Sequence, residues 1–312
     1  MRATLSLRRG NRLAGGFMQM SDVATEGRTV VAEQQVAARP LESPMVRRIV
    51  PAKRRLTVGD LFRDLPVVRV LAARDFKVKY KQSLLGPLWL IFQPLALLAA
   101  FMVAFRSLAD VSTFGIPYAV FALVGLSAWA FFQASMTIGT ASLVSNIQLV
   151  RFTPCPRLAF PIAGIAASLP SYGVTMAAAL VAAAGTGVLS PRALLLPLGL
   201  LWLFLLTAGV VAIAASFTVR FRDMLSAMPF LLQVGVFLAP VGYPLADLNE
   251  TVRTLVDLNP LTGVIEAWRW MMLSGYHPSF EPIGISLVAT AVVIVVGWQV
   301  FSRIETTMAD EI

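Results

Sequence analysis

The sequence has few of the residue types from which enzymes build catalytic and metal sites. Of its 312 residues, 14% are charged, and there is one cysteine and one histidine. A soluble domain has about 25% charged residues, and intrinsic disorder requires low hydrophobicity, whereas this chain is 57% hydrophobic. The single Cys155 excludes an intrachain disulfide and a cysteine-based metal site, and the single His277 argues against a site built from histidines. We therefore expect neither a water-soluble enzyme nor a bound metal or cofactor in this chain.

Nucleotide-binding and hydrolase motifs are also missing. Lysine is scarce, and none of the four lysines follows a glycine: Lys53, Lys77, Lys79 and Lys81. The chain therefore has no G-x-x-x-x-G-K-[ST] loop for nucleotide phosphates, and it contains neither G-x-S-x-G nor H-E-x-x-H. No Asp, Glu, Lys, Arg or His lies within its long apolar stretches, although ion-coupled carriers usually place such residues there. The energy for any transport must then come from another protein.

Long uncharged apolar runs are the main feature that is present. A helix needs about 20 apolar residues to cross the hydrocarbon core of a bilayer. Six stretches of about this length lack Asp, Glu, Lys, Arg and His: 84–105, 117–138, 159–188, 194–219, 224–245 and 283–301. The fifth contains three prolines, which predict a kinked or re-entrant element. The predicted fold class is an all-α polytopic membrane protein with six transmembrane helices per subunit.

Basic residues cluster before the first apolar stretch. Residues 1–82 carry a net charge of +10, and the rest of the chain carries −1. With both termini in the cytoplasm, 22 Lys and Arg fall on the inner side and 4 on the outer side, in agreement with the positive-inside rule. A basic arm can also bind nucleic acid, but the apolar run that follows directly favours a membrane flank. We expect a multi-pass protein of the inner membrane with cytoplasmic termini and no nucleic-acid partner.

The pattern predicts an amphipathic helix before the first span. Val68, Leu71 and Phe76 share one face of a helix, and Arg74 lies opposite with other basic residues. Such a helix is typical of the inner-leaflet surface, and a solvated linker is the alternative. The chain then divides into four regions: a loosely structured basic tail (1–56), the interfacial helix (57–82), the six-span membrane domain (83–305) and a cytoplasmic C-terminal tail (306–312).

Five segments, in their order and spacing, resemble those of a known family. They are RDFKVKYKQSLLGPLWLIFQPL (74–95), GLSAWAFF (125–132), NIQLVRFTPCPRLAFPI (146–162), RFRDMLSAMPFLLQVGVFLAPVGYP (220–244) and NPLTGVIEAWRWMML (259–273). Over about residues 60–305, the chain resembles the permease subunit of polysaccharide-export ABC transporters. That family moves O-antigen, capsule and teichoic-acid chains.

The resemblance implies an assembly and a substrate. It implies a homodimer of six-span subunits that works with two copies of a separate P-loop ATP-binding subunit. ATP-Mg would bind to that partner and not to this chain. Changes in the partner would open and close a conduit for a lipid-linked glycan between the two membrane subunits. The resemblance also implies short gate helices on the outer side, between spans five and six.

Two groups of inner-side residues are candidates for function. The first group would meet acidic lipid and the pyrophosphate of a lipid-linked sugar where this substrate enters: Arg74, Lys77, Lys79 and Lys81. Simple anchoring by positive charge explains this group equally well. The second group, in two cytoplasmic loops, would contact the ATPase: Asn146, Arg151, Arg157, Arg220, Arg222 and Asp223. The first loop is expected to contain a short helix over 142–150, and in the second an arginine–aspartate hydrogen bond that fixes the turn is the alternative.

Aromatic rings and uncharged polar groups in the spans are candidates for the lining of a glycan conduit, because sugars offer hydroxyls and flat C–H faces. The set comprises Trp89, Phe92, Gln93, Trp129, Phe132, Gln233 and Tyr243. Lipid contact or packing is the alternative for the aromatics, and interhelical hydrogen bonding is the alternative for the glutamines. For the outer gate, the resemblance points to Asn259, Glu266, Trp268 and Arg269. Interfacial anchoring is the alternative for the tryptophan.

Three other functions remain open on the sequence. Related permeases of similar topology export drugs or small lipids. A membrane-embedded enzyme acting on lipids or sugars would need acids or histidine near an interface, where His277 and Glu281 form the only nearby set. A secondary carrier or channel would work without an ATPase. The basic segment 74–86 favours polysaccharide export among these.

Overall fold

The computed structural model describes residues 64–81, 83–107, 113–152 and 156–305. The predicted tails, 1–56 and 306–312, and positions 57–63 of the predicted interfacial helix lie outside these residues. The described part is helical, as the predicted fold class requires. Its α-helices are α1 (Leu65–Lys81), α2 (Trp89–Phe101), α3 (Tyr118–Ser145), α4 (Ile147–Phe152), α5 (Ala159–Ala166), α6 (Leu169–Gly185), α7 (Leu196–Arg220), α8 (Met224–Leu238), α9 (Glu250–Asp257), α10 (Pro260–Met272) and α11 (Phe280–Glu305).

Helix α1 begins after Asp64, whose carbonyl accepts hydrogen bonds from the N–H groups of Val67 and Val68. Its apolar face is buried through Val68, Leu71 and Ala72, and this face packs against α5. The basic side chains of its last turn are exposed. The helix therefore has one apolar and one basic face, and its location at a membrane surface stays a prediction.

Five helical segments of the described chain are long and apolar enough to cross a membrane. They are 86–105, α3, the α5–α6 pair, a segment from Pro191 through the end of α7, and α11. Helices α7 and α11 begin and end within a few residues of the predicted spans, because charged residues flank the apolar runs. Helix α3 is longer than predicted and continues to Ser145. The chain is thus a multi-pass membrane protein.

The first of these segments changes its geometry along its length. A 3₁₀ turn at Gly86–Leu88 leads into α2, and a π-helical turn follows at Met102–Ser107. Gly86 has φ of 50°, a left-handed conformation that glycine adopts readily because it has no Cβ. Most apolar side chains of α2 are exposed in the single chain, so this helix offers its surface to lipid or to a second subunit.

The predicted third span, 159–188, consists of two helices. Helix α5 ends at Ala166 and α6 begins at Leu169. Pro170 lacks the N–H that would continue the hydrogen-bond pattern of the first helix. Ser168 lies in the break, where its hydroxyl is 2.6 Å from the hydroxyl of Ser135 on α3. The break is therefore held by hydrogen bonds to its neighbour.

The predicted fifth span, 224–245, is a short helix followed by irregular chain. Helix α8 has 15 residues, about 22 Å at 1.5 Å per residue, which is less than the roughly 30 Å of the hydrocarbon core. It ends at Leu238, and residues 239–244, called here the outer segment, have no regular structure. Pro240 explains the ending, since it cannot donate a backbone hydrogen bond and it favours the extended conformation that Ala239 adopts before it. The prediction of a proline-broken element agrees with this geometry, whereas the exact count of six spans stays a prediction.

Helix α3 occupies the centre of the domain, packed against α5, α6 and α7. Glycines allow the closest approaches between helices. A Cβ added to Gly164 of α5 would lie 2.8 Å from the Cα of Gly139 in α3, and one added to Gly297 of α11 would lie 2.6 Å from the carbonyl oxygen of Gly209 in α7. Small residues at helix contacts are typical of membrane proteins. We call the end with α1, α4 and the α7–α8 turn the inner end, and the end with α9 and α10 the outer end.

Candidate transport site

The two predicted inner-side groups meet at one hydrogen bond. Arg74 of α1 donates from its guanidinium to the side-chain oxygen of Asn146, and it also lies 2.7 Å from the carboxylate of Asp75. Asn146 follows the end of α3 and donates in turn to the carbonyl of Ser142 at 2.8 Å. Arg74 therefore ties α1 to α3. The guanidinium of Arg74 is therefore partly occupied by hydrogen bonds within the protein, whereas the lysine side chains of α1 are exposed.

Those amines belong to Lys77, Lys79 and Lys81, which are all exposed. The ammonium of Lys79 lies 5.4 Å from the centre of the Tyr80 ring. These lysines are available to anionic lipid or phosphate, because long basic side chains keep their charge in water while their stems cover apolar surface. Among the four residues proposed for substrate entry, Arg74 thus contacts another helix, whereas the three lysines are exposed on the surface.

The first loop at the inner end contains the expected short helix, but this helix begins later than predicted. Helix α4 runs from Ile147 to Phe152, whereas Ser142 belongs to α3. The Arg151 side chain lies outside the described residues. Arg157 is attached to the end of α11, since its backbone N–H lies 3.3 Å from the carboxylate of Glu305 and its guanidinium donates to the Glu305 carbonyl. The loop is therefore connected to the last helix.

The turn between α7 and α8 at the inner end leaves its charged side chains exposed. Arg220, Arg222 and Asp223 are all on the surface between α7 and α8. In the part of the chain that the structure describes, no ion pair joins either arginine to Asp223. The interpretation that an arginine–aspartate bond fixes this turn is therefore wrong, and the backbone provides the hydrogen bonds, with the Asp223 carbonyl accepting from Ser226 and Ala227.

The predicted conduit residues separate into an exposed and a packed set. On α2 and α8, the side chains of Trp89, Phe92, Gln93 and Gln233 are exposed. In contrast, Trp129 is only 3% exposed: its ring lies 5.9 Å from that of Phe132 and 3.0 Å from the Cβ position of Gly235 on α8. Trp129 therefore packs α3 against α8 in this conformation, and the exposed set is what an adjacent subunit or substrate could reach.

At the outer end, Arg269 of α10 is fully buried. Its Nη2 atom donates to the carbonyls of Pro240 at 2.6 Å and Val241 at 2.9 Å, and its Nη1 atom lies 3.5 Å from the Tyr243 carbonyl. The guanidinium carbon lies 3.7 Å from the centre of the Phe121 ring, a cation–π geometry. The outer segment is thus bound to α10 through one side chain.

Glu266 supplies the negative charge for this arginine. Its Oε1 lies 3.4 Å from Arg269 Nη1 and accepts from the Tyr276 hydroxyl at 2.8 Å. The backbone N–H of Ser279 lies 3.3 Å from Oε2. Burial raises the pKa of Tyr276 well above its ordinary value, so its hydroxyl stays protonated at neutral pH and donates. The carboxylate therefore joins α10 to the chain that leads into α11.

The other two residues predicted for the gate have structural roles. Asn259 caps α10, accepting from the N–H of Leu261 at 3.0 Å and donating to the carbonyl of Leu238 at 3.1 Å. Trp268 is fully buried, with its ring 5.6 Å from that of Tyr172. Anchoring of Trp268 in a lipid interface is therefore not what the structure shows, because the ring has no exposed surface.

The sequence did not reveal the rest of this outer network. Tyr118 of α3 donates to the carbonyl of Gly242 at 2.9 Å, and a Cβ on Gly125 would lie 2.6 Å from the Val241 carbonyl oxygen. Backbone carbonyls carry no signal in a sequence, so these partners could not be identified from residue types.

Among the described residues, no group of three or more His, Cys, Asp or Glu could hold a metal ion, and no hydrogen bond joins the exposed His277 and Glu281.

Comparisons with known proteins agree with this architecture. The family model of ABC-2 type transporters matches residues 66–273. The O-antigen export system permease protein RfbA of Klebsiella pneumoniae is 27% identical over 261 residues, covering 83% of this chain and 98% of that protein. RfbA of Myxococcus xanthus is 25% identical over 252 residues, covering 80% and 95%. The polysialic acid transport protein KpsM of Escherichia coli is 24% identical over 248 residues, covering 77% and 94%.

The family match extends from the first turn of α1 to the residue after α10. It includes the outer segment and the buried Glu266–Arg269 pair, and it covers more than half of the chain. The apolar helices and the match lead to one conclusion: this chain belongs to the ABC-2 type transporter membrane family.

Proposed function

We propose that this chain is the permease subunit of an ABC exporter for a lipid-linked polysaccharide of the O-antigen, capsule or teichoic-acid type. Two copies would form the membrane body, and two copies of a P-loop ATP-binding subunit would drive it from the cytoplasm. The chain itself is then a transport subunit without nucleotide-binding chemistry. ATP-Mg would be bound by the partner.

One observation carries this proposal: three permeases or transport proteins named for O-antigen or polysialic acid align with nearly their whole length. The chain covers 94 to 98% of each of them. An alignment of that extent includes the inner loops, the spans and the outer helices together. The polysaccharide class is supported by these names, and drug or small-lipid export has no comparable support.

The exposed surfaces fit a paired membrane body. Helices α2 and α8 expose aromatic and aliphatic side chains, and among them lie Gln93 and Gln233. An amide that faces lipid without a hydrogen-bond partner is costly, so these glutamines favour a surface that meets a second subunit or a hydrated substrate. A homodimer with its conduit along α2 and α8 accounts for them.

The inner end fits the two other partners. Exposed Arg220 and Arg222 project from the α7–α8 turn, and Arg157, which precedes α5, donates a hydrogen bond to the end of α11. Both positions suit contact with an ATPase below the membrane. The three exposed lysines of α1 suit the pyrophosphate of a lipid-linked glycan at the inner leaflet. Cytoplasmic termini follow from the same placement of positive charge.

The proposal is tested by reconstituting the chain with and without its ATP-binding partner in lipid vesicles. Export of lipid-linked glycan is measured together with ATP hydrolysis. We expect both activities with the complete assembly and neither with this chain alone. A partner whose P-loop lysine is replaced by alanine is the matched control, since assembly persists while hydrolysis stops. Glycan export without the partner, or hydrolysis by the isolated chain, would overturn the proposal.

A further inference from the structure

The outer segment, 239–244, has backbone groups that its own chain does not satisfy. It follows α8, which ends just before Pro240, and its internal backbone bond runs from Val241 N–H to the Ala239 carbonyl at 2.7 Å. Ala239 and Val241 are nevertheless fully buried. Buried backbone carbonyls need donors, and in this segment the donors are side chains from other helices.

Arg269 supplies most of these donors, and its burial is costly. A guanidinium removed from water must be compensated by good hydrogen bonds as well as by an opposite charge. The carboxylate of Glu266 lies at 3.4 Å, whereas the Pro240 and Val241 carbonyls lie at 2.6 and 2.9 Å. The shortest bonds of Arg269 therefore go to the outer segment and not to its ion-pair partner.

The shape of the guanidinium matters because its acceptors are close together along the backbone. Nη2 serves two consecutive carbonyls while Nη1 faces a third, that of Tyr243. A planar fork of fixed geometry can contact several acceptors at once, which a lysine ammonium on a flexible stem does less well. An apolar residue of similar volume could fill the space but could not donate.

We propose that Arg269 is a positioning residue that holds the outer segment in its buried place and so sets the position of Tyr243 at the outer end of the transport path. The ring of Tyr243 lies 5.7 Å from that of Phe105, and its hydroxyl donates to the carbonyl of Phe237 at 2.9 Å. Glu266 orients the arginine. The assignment of Tyr243 to a transport path rests on the proposed function, whereas the retention of the segment by Arg269 does not.

The test uses cysteine labelling in the full assembly in cell membranes. The single Cys155 is first replaced by serine. Val241→Cys then places a thiol in the buried outer segment, and Leu273→Cys places one at an equally buried outer position next to a separate backbone bond, between Ser190 N–H and the Met272 carbonyl. Labelling rates with a membrane-impermeant maleimide are measured from outside.

We expect Arg269→Met to raise the labelling rate at Val241→Cys roughly tenfold or more, because the lost hydrogen bonds involve a charged donor. Arg269→Lys should give a smaller increase. Leu273→Cys should label at its original slow rate in every background. An unchanged rate at position 241, or equal increases at both positions, would overturn the proposal, since the second result indicates general loosening. If Val241→Cys does not assemble, Tyr243→Cys is the second reporter.

A double variant separates charge balance from carbonyl binding. If Arg269 served only to neutralise Glu266, the pair Glu266→Gln with Arg269→Met would restore slow labelling at Val241→Cys. We expect labelling to stay fast, because the carbonyls of the outer segment still lack their donor. Restored protection would overturn the positioning role. Labelling needs neither ATP hydrolysis nor glycan, so its failure is distinguishable from failure of the export function.

Discussion

Arginines lie at both ends of this protein, but the two ends use them differently. At the outer end, Arg269 is fully buried and contacts carbonyls, a carboxylate and an aromatic ring. At the inner end, Arg220 and Arg222 are exposed and have no ion-pair partner within the described chain. A buried cation must be matched by fixed acceptors, whereas an exposed one remains free for a partner. The outer charges therefore organise the fold, whereas the inner arginines remain exposed on the surface.

The largest expected effect on stability comes from removing the acid of the buried pair. Glu266→Leu leaves Arg269 without its carboxylate, and breaking such a pair costs about 3–5 kcal/mol of the free energy of unfolding. Denaturation in mixed micelles measures this change. The control is Arg253→Met, which breaks an ion pair of 3.5 Å between an arginine side chain that is 40% exposed and the Asp257 side chain, which is 11% exposed. That loss should be clearly smaller, because water already screens the charge of Arg253, and equal losses would contradict the contrast between a fully buried and a partly exposed pair.

The next largest effect is expected where the outer segment approaches α3. In Gly125→Ala the new methyl would lie 2.6 Å from the Val241 carbonyl oxygen, so backbone has to move, at a cost of about 1–3 kcal/mol. Gly173→Ala in α6 is the matched control, since nothing lies within 4 Å of its Cβ position. There, alanine should stabilise the helix by up to about 1 kcal/mol. Thermal unfolding of the two purified variants measures the expected loss of stability in Gly125→Ala and the expected gain in Gly173→Ala.

A smaller effect on stability is expected at the contact between α1 and α3 at the inner end. The hydrogen bond between Arg74 and Asn146 links α1 to α3, but the Arg74 side chain is 40% exposed. A double-mutant cycle with Arg74→Met and Asn146→Ala should give a coupling free energy of about 0.5–1 kcal/mol. Replacing Lys77 by methionine instead of Arg74 should give no coupling with Asn146. Equal coupling of Arg74 and Lys77 with Asn146 would show that the contact between α1 and α3 does not depend specifically on Arg74.

The smallest effect on stability is expected for the exposed lysines of α1. Glutamine at Lys77, Lys79 and Lys81 should leave the unfolding transition unchanged, because these side chains are exposed. Glycan export should nevertheless decrease, by about fivefold for each lysine that contacts anionic headgroups, at low ionic strength. Export assays in vesicles at two salt concentrations measure this. The control is Arg253→Gln at the outer end, and a decrease of the same size there would contradict the assignment to substrate access.

The spans could be predicted from the sequence because charged residues mark where apolar runs stop. Helix α7 occupies 196–220 and α11 occupies 280–305, each within a few residues of its prediction. The break between α5 and α6 was not predicted as two helices, although Pro170 was visible. The continuation of α3 to Ser145 was missed as well, since serine, threonine and glycine are compatible with both a helix and a loop.

Residue type alone did not predict the environment of the candidate residues. Trp89 and Trp129 look alike in the sequence, as aromatic residues in apolar runs, yet the first is exposed and the second is buried. Arg74 and Lys77 are both basic residues of one helix, yet only Arg74 contacts another element through Asn146. Side-chain partners from distant parts of the chain decide these differences, and no local pattern contains them.

The sequence by itself determined that this chain crosses a membrane as helices. Uncharged runs of about 20 residues can only be buried in lipid if each backbone group is bonded within its own segment, and the basic residues of the first 82 positions predict the orientation of the chain. The tertiary structure alone decided how the buried Arg269 is compensated. Its acceptors are backbone carbonyls at 240, 241 and 243, and every residue type provides a carbonyl, so only the folded chain could select them.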